Sequence, residues 1–290
     1  MNTAPITYNP APTQPSFVMP KGACDTHCHV FGPSVRFPFA PESALQPGDA
    51  PKEKLFALHD MMGIERCVIV QSGVHGFDNS AVANAIAARP KTYLGVALLP
   101  TDVSDDEIKR HHELGFRGIR FNYMSHLKGG ASMDQLLHLA DRLGRFDWHL
   151  QIHMDSDLIA EKAVGLAKAS VPVVIDHMGR VDASLGLDQE PFNALLRLME
   201  NDHLLVKVSG CERSSRQDAP YVDAIPFARK LVETFPDRVL WGTDWPHPNF
   251  RAAAPDDGVL VDLIAAIAPT PDLQQALLVD NPMRFYRFAA

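Results

Sequence analysis

Short apolar runs alternate with longer amphipathic stretches along the whole chain. Several of the runs are continuously apolar, which is typical of strands that are buried on both faces of a parallel sheet. They cover residues 23–31, 66–71, 93–98, 118–121, 149–153, 171–175, 204–208 and 239–242. The pattern therefore predicts eight parallel strands.

Helical periodicity fills the segments between these runs. The predicted helices cover residues 51–63, 79–89, 104–114, 133–145, 157–169, 190–201, 221–235 and 258–281. Ser104 and Glu107 have the spacing of a capping box, and Gly63 and Gly115 stand where helices would end. Eight β/α units in 290 residues, without a break in composition, predict the α/β class and a single (β/α)8 TIM barrel.

An open doubly wound sheet is the alternative architecture. No Gly-rich phosphate-binding turn follows the first predicted strand, so the sequence favours the barrel, assigned to residues 21–290. Residues 1–20 are polar and Pro-rich and lack the apolar core of a signal peptide. We expect them to form a disordered or surface-hugging, poorly structured lead-in.

Composition and charge exclude several classes of protein. The net charge is −8 with no basic block, which argues against nucleic acid as a partner. No apolar run approaches the roughly 18 residues of a membrane helix, so we expect no membrane partner. The four cysteines lack the second pair of a zinc tetrad and predict buried, reduced thiols in a cytoplasmic protein. The sequence leaves open whether the protein forms a homo-oligomer.

The chain contains 13 histidines, and several of them stand at strand ends. In a barrel of this kind the active site lies at the C-terminal ends of the strands. His27 and His29 share one face of the first strand, because side chains alternate along a strand. His153 ends the fifth strand, His177 follows the sixth and Asp244 follows the eighth, so these five side chains should point to one mouth.

Two of the other nine histidines, His149 and His203, stand in loops or at strand starts, and the remaining seven divide by position. Three lie in loops over the same mouth, namely His75, His126 and His247. Four lie within predicted helices, where we expect them to be solvated: His59, His111, His112 and His138.

Three arginines fall at the same mouth, one in the fourth strand and one each after the sixth and seventh strands. They are Arg120, Arg180 and Arg213. Guanidinium groups bind carboxylates through two parallel hydrogen bonds. Their convergence predicts a substrate with two or more anionic groups, although each could instead bridge loops.

Several segments together resemble the amidohydrolase superfamily, and within it the branch of the 2-pyrone-4,6-dicarboxylate lactonases. The resemblance covers residues 21–288. The segments that carry it are 25–33 (DTHCHVFGP), 70–71 (VQ), 75–76 (HG), 117–122 (RGIRFN), 174–180 (VIDHMGR), 241–249 (WGTDWPHPN) and 281–283 (NPM).

The resemblance implies a (β/α)8 hydrolase that acts on a lactone or an amide-like carbonyl. Asp244 would be the general base that takes a proton from the attacking water. The carbonyl and its oxyanion would be stabilised, directly or through a metal, by His27, His29 and His177. The substrate-binding residues would be Arg120, Arg180, Arg213, Gln71, His153 and His126.

Two departures from the branch affect the cofactor and the substrate. His153 stands where the lactonases carry a tyrosine, and Ser125-His126 stands where they carry a further arginine. His153 also completes the ligand set of a mononuclear metal amidohydrolase: His27, His29, His153, His177 and Asp244. The lactonases of this branch require no metal, so the sequence leaves open one divalent metal, zinc by ligand type, or no cofactor.

We expect a hydrolase that opens a small polyanionic lactone in bacterial-type aromatic catabolism. The substrate would be similar to 2-pyrone-4,6-dicarboxylate or, because of the stretch 210–222, to a sulfomuconolactone. Alternatives are a sugar-acid lactone isomerase or hydrolase, and a zinc-dependent decarboxylase of the same superfamily. A non-catalytic protein that binds anions is disfavoured, because such a protein gains nothing from a buried carboxylate.

Overall fold

Eight parallel strands form the centre of the molecule in the computed structural model, which describes residues 4–124, 131–250 and 253–288. Their order in the sheet is their order in the chain. The strands are β1 Cys24–Cys28, β2 Arg66–Val70, β3 Tyr93–Ala97, β4 Phe116–Tyr123, β5 His149–Met154, β6 Val173–Ile175, β7 Leu204–Lys207 and β8 Val239–Leu240. Each lies within or overlaps a predicted apolar run.

The sheet is curved so that β1 lies beside the segment that follows β8. The backbone N–H of Thr26 donates to the Trp241 carbonyl oxygen at 2.9 Å, and that of Asp244 donates to the His27 carbonyl oxygen at 2.7 Å. These bonds bring the first strand and the last segment together, so the barrel is nearly closed. The predicted single (β/α)8 architecture is confirmed.

Helices cover the outside of the barrel. Seven of the eight predicted helical segments contain one helix each: α1 Lys52–Met62, α2 Ser80–Ala88, α3 Asp105–Glu113, α4 Met133–Leu143, α5 Ile159–Leu166, α6 Glu190–Leu198 and α8 Ile225–Thr234. The short helix α7, Cys211–Ser214, was not predicted.

The prediction of one long helix over residues 258–281 is wrong. The segment forms α9 Asp257–Asp262, α10 Ile264–Ile267, α11 Pro271–Gln275 and a π-helical turn Ala276–Asp280, and α12 Asn281–Tyr286 follows. The chain leaves the helical conformation at Ala268 and starts again at Pro271, where Thr270 caps the new helix by accepting from the backbone N–H of Leu273. Proline favours the first position of a helix and disfavours its interior.

Two apolar clusters stabilise this arrangement. One lies between the strands and the helices. The other fills the barrel interior with alternate strand residues such as Val68, Val96 and Leu205, against Tyr286 and Phe288 of the C-terminal segment. The interior is therefore packed, and polar side chains are concentrated at one end of it.

The lead-in, of which residues 4–20 are described, contains no helix or strand and lies along the barrel surface. The Tyr8 ring packs on the Trp245 ring at 5.1 Å between centroids. The backbone N–H of Thr13 donates to Asp256 Oδ1 at 3.0 Å, and that of Phe17 donates to Asp262 Oδ1 at 2.8 Å. The division into a lead-in and a barrel domain stays a prediction.

The burial of the cysteines agrees with the prediction. All four cysteines are free and buried. Burial raises the pKa of the Cys28 thiol to about 11, so it is protonated at neutral pH. Among the helices that the structure describes, none is long and apolar enough to cross a membrane.

Candidate active site

A register shift in β1 places the first pair of histidines. Asp25 and Cys28 are three positions apart, but their partners on β2, Cys67 and Ile69, are only two positions apart. Such a bulge reverses which side chains face inward. Cys24 thus belongs to the interior cluster and Cys28 to the outer one, while His27 and His29 both face the barrel interior.

Asp244 lies at the centre of the histidine cluster. Its Oδ1 atom is 3.2 Å from His29 Nε2, 3.7 Å from His27 Nε2 and 3.8 Å from His177 Nε2. Its Oδ2 atom accepts a hydrogen bond from Arg213 Nε. The side chains in this group are almost fully buried, so their charges act with little screening by water.

This setting keeps Asp244 ionised. Burial alone would raise the pKa of the carboxyl group, but the Arg213 guanidinium, followed by His177 and His29, holds it well below its usual range. Burial and the neighbouring Lys207 lower the pKa of His27 to about 3, so its imidazole is neutral at physiological pH. The site therefore combines a carboxylate with a neutral imidazole.

A second group of polar side chains contacts His27 at Nδ1, on the side of the ring away from Asp244. Lys207 Nζ is 3.2 Å from His27 Nδ1 and donates to Gln151 Oε1 at 2.9 Å. Asp176 Oδ1 also lies 3.2 Å from His27 Nδ1, and its Oδ2 accepts from Arg120 Nε at 2.9 Å. No sequence signal marks Lys207 or Gln151, because their partners come from other strands.

The remaining two histidines have separate supports. His177 Nδ1 is hydrogen-bonded to Ser209 Oγ at 3.1 Å, and its ring centroid is 4.4 Å from that of His27. His153 Nδ1 is hydrogen-bonded to Asn122 Oδ1 at 3.1 Å, and its ring is 5.7 Å from that of His177. His153 thus lies one ring further out than the group around Asp244.

A cavity of about 370 Å³ adjoins this group. Arg180 and Arg213 line it, and Arg213 is the residue that also touches Asp244. Three aspartates line it too, and one of them, Asp182, pairs with Arg216 at 2.8 Å. Burial and the charge of Arg213 lower the pKa of Arg180 to about 10, so its guanidinium stays charged at neutral pH.

Comparison with known proteins identifies the family. The amidohydrolase family model matches residues 24–288. The chain belongs to the amidohydrolase family.

This amidohydrolase is similar to two curated enzymes over nearly its whole length. It is 46% identical over 285 residues to a 2-pyrone-4,6-dicarboxylate hydrolase of Comamonas testosteroni, covering 95% of this chain and 93% of the relative. It is 39% identical over 274 residues to a 4-sulfomuconolactone hydrolase of Rhizobium radiobacter, covering 93% and 92% of the two chains.

A solved structure agrees with the fold. It is a putative 2-pyrone-4,6-dicarboxylic acid hydrolase from Pseudomonas putida, with a TM-score of 0.81 and 31% sequence identity. The comparison covers 94% of this chain and 100% of that one.

Not every predicted site residue of the amidohydrolase lies beside Asp244. Gln71 is fully buried, and its side-chain amide donates to the carbonyl oxygens of Gly76 at 3.3 Å and Asp78 at 2.8 Å, so it holds a loop. His126 lies outside the described residues. Two histidines expected near the mouth have structural contacts: His75 accepts from the backbone N–H of Gly32, and His247 pairs with Asp257 at 3.1 Å.

The expectation that the helical histidines are solvated is wrong for two of them. His59 is fully buried, with Nε2 3.2 Å from Asp25 Oδ2 and Nδ1 2.6 Å from the Tyr93 hydroxyl. His111 is buried against Phe116. Both lie on the face of an amphipathic helix that packs on the barrel, where a polar side chain is acceptable when it finds a hydrogen-bond partner.

The donor types for a divalent metal are present in the amidohydrolase. One ligand atom each of His27, His177 and Asp244 lies within 4.8 Å of the other two, and all three residues are buried. His29 and His153 do not belong to this group of three.

Two cations nevertheless contact this group. Arg213 donates to the Asp244 carboxylate, and Lys207 lies against His27 Nδ1. A divalent ion would be placed beside a guanidinium and an ammonium group in a buried site, where repulsion between like charges is strong. In this arrangement the residues do not fit a bound divalent metal.

Proposed function

We propose that this protein hydrolyses a small lactone that carries two or more anionic groups. The observation that carries the proposal is the Asp244 carboxylate, which is held ionised in a buried cluster of histidines and borders an arginine-lined cavity. A carboxylate in this setting can accept a proton from water, and the arginines can bind the anionic groups of a substrate.

In the proposed reaction, Asp244 takes a proton from a water molecule while the water oxygen bonds to the ring carbonyl carbon. The carbonyl oxygen becomes an oxyanion, which the Nε2 edges of His27 and His177 would stabilise. The intermediate collapses with cleavage of the bond between the carbonyl carbon and the ring oxygen. The proton held by Asp244 then passes to the departing enolate or alkoxide, which restores the base.

The substrate class follows from charge and from the relatives. Arg120, Arg180 and Arg213 would hold the anionic groups, and His153 and His126 are the other candidate substrate-binding residues. The relatives are named for 2-pyrone-4,6-dicarboxylate and 4-sulfomuconolactone, and both of these lactones bear two anionic groups. We therefore place the reaction in the catabolism of aromatic compounds, in the cytoplasm. The oligomeric state stays a prediction.

No metal ion enters the proposed reaction. Zinc is the ion that imidazole and carboxylate donors suit best, and His27, His177 and Asp244 are the residues around which it would have to bind. Exhaustive chelation should leave the rate of hydrolysis unchanged. A loss of activity that added zinc restores would show that the ion takes part.

A substrate panel with measured metal content tests the proposal. It contains 2-pyrone-4,6-dicarboxylate, 4-sulfomuconolactone, an aldarolactone and an uncharged lactone of similar size. We expect ring opening of at least one of the first two and none of the uncharged lactone. Equal turnover of the uncharged lactone would contradict the anion-binding role of the arginines, and decarboxylation or isomerisation without hydrolysis would contradict the reaction.

A single substitution tests the arginine cavity. Arg180→Met should raise KM for the dianionic lactone by about 100-fold, because a charge-assisted bidentate contact contributes roughly 2–3 kcal/mol. Arg110→Met, on the exposed face of α3, is the matched control and should behave as wild type. An unchanged KM for Arg180→Met would remove Arg180 from the binding site.

A further inference from the structure

Lys207 is a fully buried lysine at the end of β7. Its Nζ atom lies 2.9 Å from the Thr26 carbonyl oxygen, 2.9 Å from Gln151 Oε1 and 3.2 Å from His27 Nδ1. An ammonium group has three hydrogens to donate and accepts none. Asp176 Oδ1 also forms an ion pair with this ammonium group at 3.6 Å, beyond hydrogen-bond distance, so the three nearer acceptors match its three donors.

This match fixes the positions of the hydrogens on His27. Since Lys207 donates to His27 Nδ1, that nitrogen presents a lone pair. A neutral imidazole carries its single hydrogen on one of its two nitrogens, so the hydrogen of His27 is on Nε2. We propose that Lys207 is a positioning residue that holds His27 in the Nε2–H tautomer.

The alternative tautomer has a partner close by. Asp176 Oδ1 is 3.2 Å from His27 Nδ1 and is buried without a hydrogen-bond partner among the described residues. If Lys207 were absent, a hydrogen on Nδ1 could donate to Asp176, and Nε2 would then present its lone pair. A histidine supported by a carboxylate in this way is the usual arrangement of a metal ligand.

The tautomer determines what the face of His27 toward Asp244 can do. His27 Nε2 is buried without a hydrogen-bond partner among the described residues and lies 3.7 Å from Asp244 Oδ1. With a hydrogen it can donate to an oxyanion, and without one it can bind a metal. The tautomer of His27 is inferred from the hydrogen-bond geometry alone, whereas its catalytic consequence rests on the proposed lactone hydrolysis.

Lys207→Met tests the inference, because methionine has a similar length and no donor. We expect kcat for the lactone to fall about 100-fold with KM changed little, as for loss of one oxyanion donor. We also expect zinc to bind at least tenfold more tightly than to wild type, measured by calorimetry on the substrate-free protein. Lys54→Met, on the exposed face of α1, is the control and should change neither quantity.

A measurement on the wild-type protein does not depend on the folding of that variant. Long-range ¹H–¹⁵N correlation spectra of histidine-labelled protein distinguish the two tautomers of His27, which is assigned through a His27→Gln spectrum. We expect the Nε2–H pattern in wild type and the Nδ1–H pattern in Lys207→Met. An Nδ1–H pattern in wild type, or unchanged zinc affinity in a folded Lys207→Met protein, would overturn the inference.

The two proposals fail in different ways. A wild-type Nδ1–H tautomer together with normal lactone hydrolysis would overturn the role of Lys207 alone. An Nε2–H tautomer in a protein that hydrolyses no lactone would overturn the proposed function alone.

Discussion

Asp244 combines two properties that normally oppose each other, since it is almost fully buried and yet ionised. Burial disfavours a charged carboxylate, so the charge must be compensated nearby. Arg213 makes the largest compensating contribution, and His177 and His29 add to it. The same guanidinium lines the cavity proposed for the anionic groups of the substrate. At the scale of residues, one arginine thus links substrate binding to the state of the base.

Replacing Arg213 should move the acid limb of the activity profile. A base acts only when it is ionised, so the wild-type rate falls only as the pH drops through the lowered pKa of Asp244. In Arg213→Met that pKa rises, because burial remains while the compensating charge is lost. The logarithm of kcat/KM plotted against pH should therefore begin to fall at a higher pH than in wild type.

A matched arginine separates this effect from a general loss of charge. Arg216 lines the same cavity but pairs with Asp182, so Arg216→Met should leave the acid limb in place. An acid limb that is identical in Arg213→Met and wild type would contradict the electrostatic account of Asp244.

The sequence could identify the residues that carry local signals, and it could not identify their supports. The placement of His27 and His29 on one face follows from alternation along a strand, and Asp244 follows from its position at a strand end. Lys207 stands at the end of an apolar run, and its partner Gln151 is 56 positions away in the chain. Nothing local marks such a pair.

The seam between β1 and the segment after β8 is the element on which the site depends. Asp25 Oδ1 accepts from the backbone N–H groups of His27 and Thr243, and its Oδ2 accepts from the Thr243 hydroxyl and lies against His59. One buried carboxylate therefore fixes the backbone beside both His27 and Asp244. Hydrogen bonds to a buried charge are among the stronger ones in proteins.

Gly242 tests how tightly this seam is packed. A Cβ atom at this position would lie 2.6 Å from the backbone nitrogen of His27, so one of the two segments must move. Gly242→Ala should lower the free energy of unfolding by about 1–3 kcal/mol and should also reduce kcat. Urea denaturation and steady-state kinetics measure the two effects.

Gly73 offers a matched glycine. A Cβ atom there meets nothing within 4 Å, and Gly73→Ala should be close to wild type in both measurements. If Gly242→Ala also behaved as wild type, the seam would be too loose to position His27.

Helices and strands could be predicted from the sequence where a single hydrophobic periodicity dominates. They could not be predicted where the backbone breaks a helix or shifts the register of a strand. The eight strands were identifiable because each is a short apolar run between polar segments. The segment from 258 to 281 has helical composition throughout, but the chain leaves the helical conformation at Ala268 and begins a new helix at Pro271. The bulge in β1 has no sequence signature, because it is a shift relative to β2.

At the scale of the whole molecule, the lead-in packs against the segment that follows β8. Tyr8 packs on Trp245, the neighbour of Asp244, and Thr13 is hydrogen-bonded to Asp256. Asp256 caps α9, and the next residue, Asp257, pairs with His247. The lead-in thus supports the loops that follow β8.

Tyr8→Ala should therefore destabilise the protein. Loss of the buried ring and of its contact with Trp245 should lower the free energy of unfolding by about 2 kcal/mol, measured by urea denaturation. Val18, in the same segment, is 85% exposed, so Val18→Ala should have no measurable effect. Equal stability of Tyr8→Ala and wild type would mean that the lead-in does not contribute to the fold.

The most direct test of the account is the hydrolysis of 2-pyrone-4,6-dicarboxylate by wild type and by Asp244→Asn. The variant keeps the shape of the side chain and removes its ability to take a proton. We predict ring opening by wild type and a fall in kcat of about 10³-fold or more in the variant, with the circular dichroism spectrum unchanged. Turnover by Asp244→Asn within about tenfold of wild type would contradict the assignment of Asp244 as the general base.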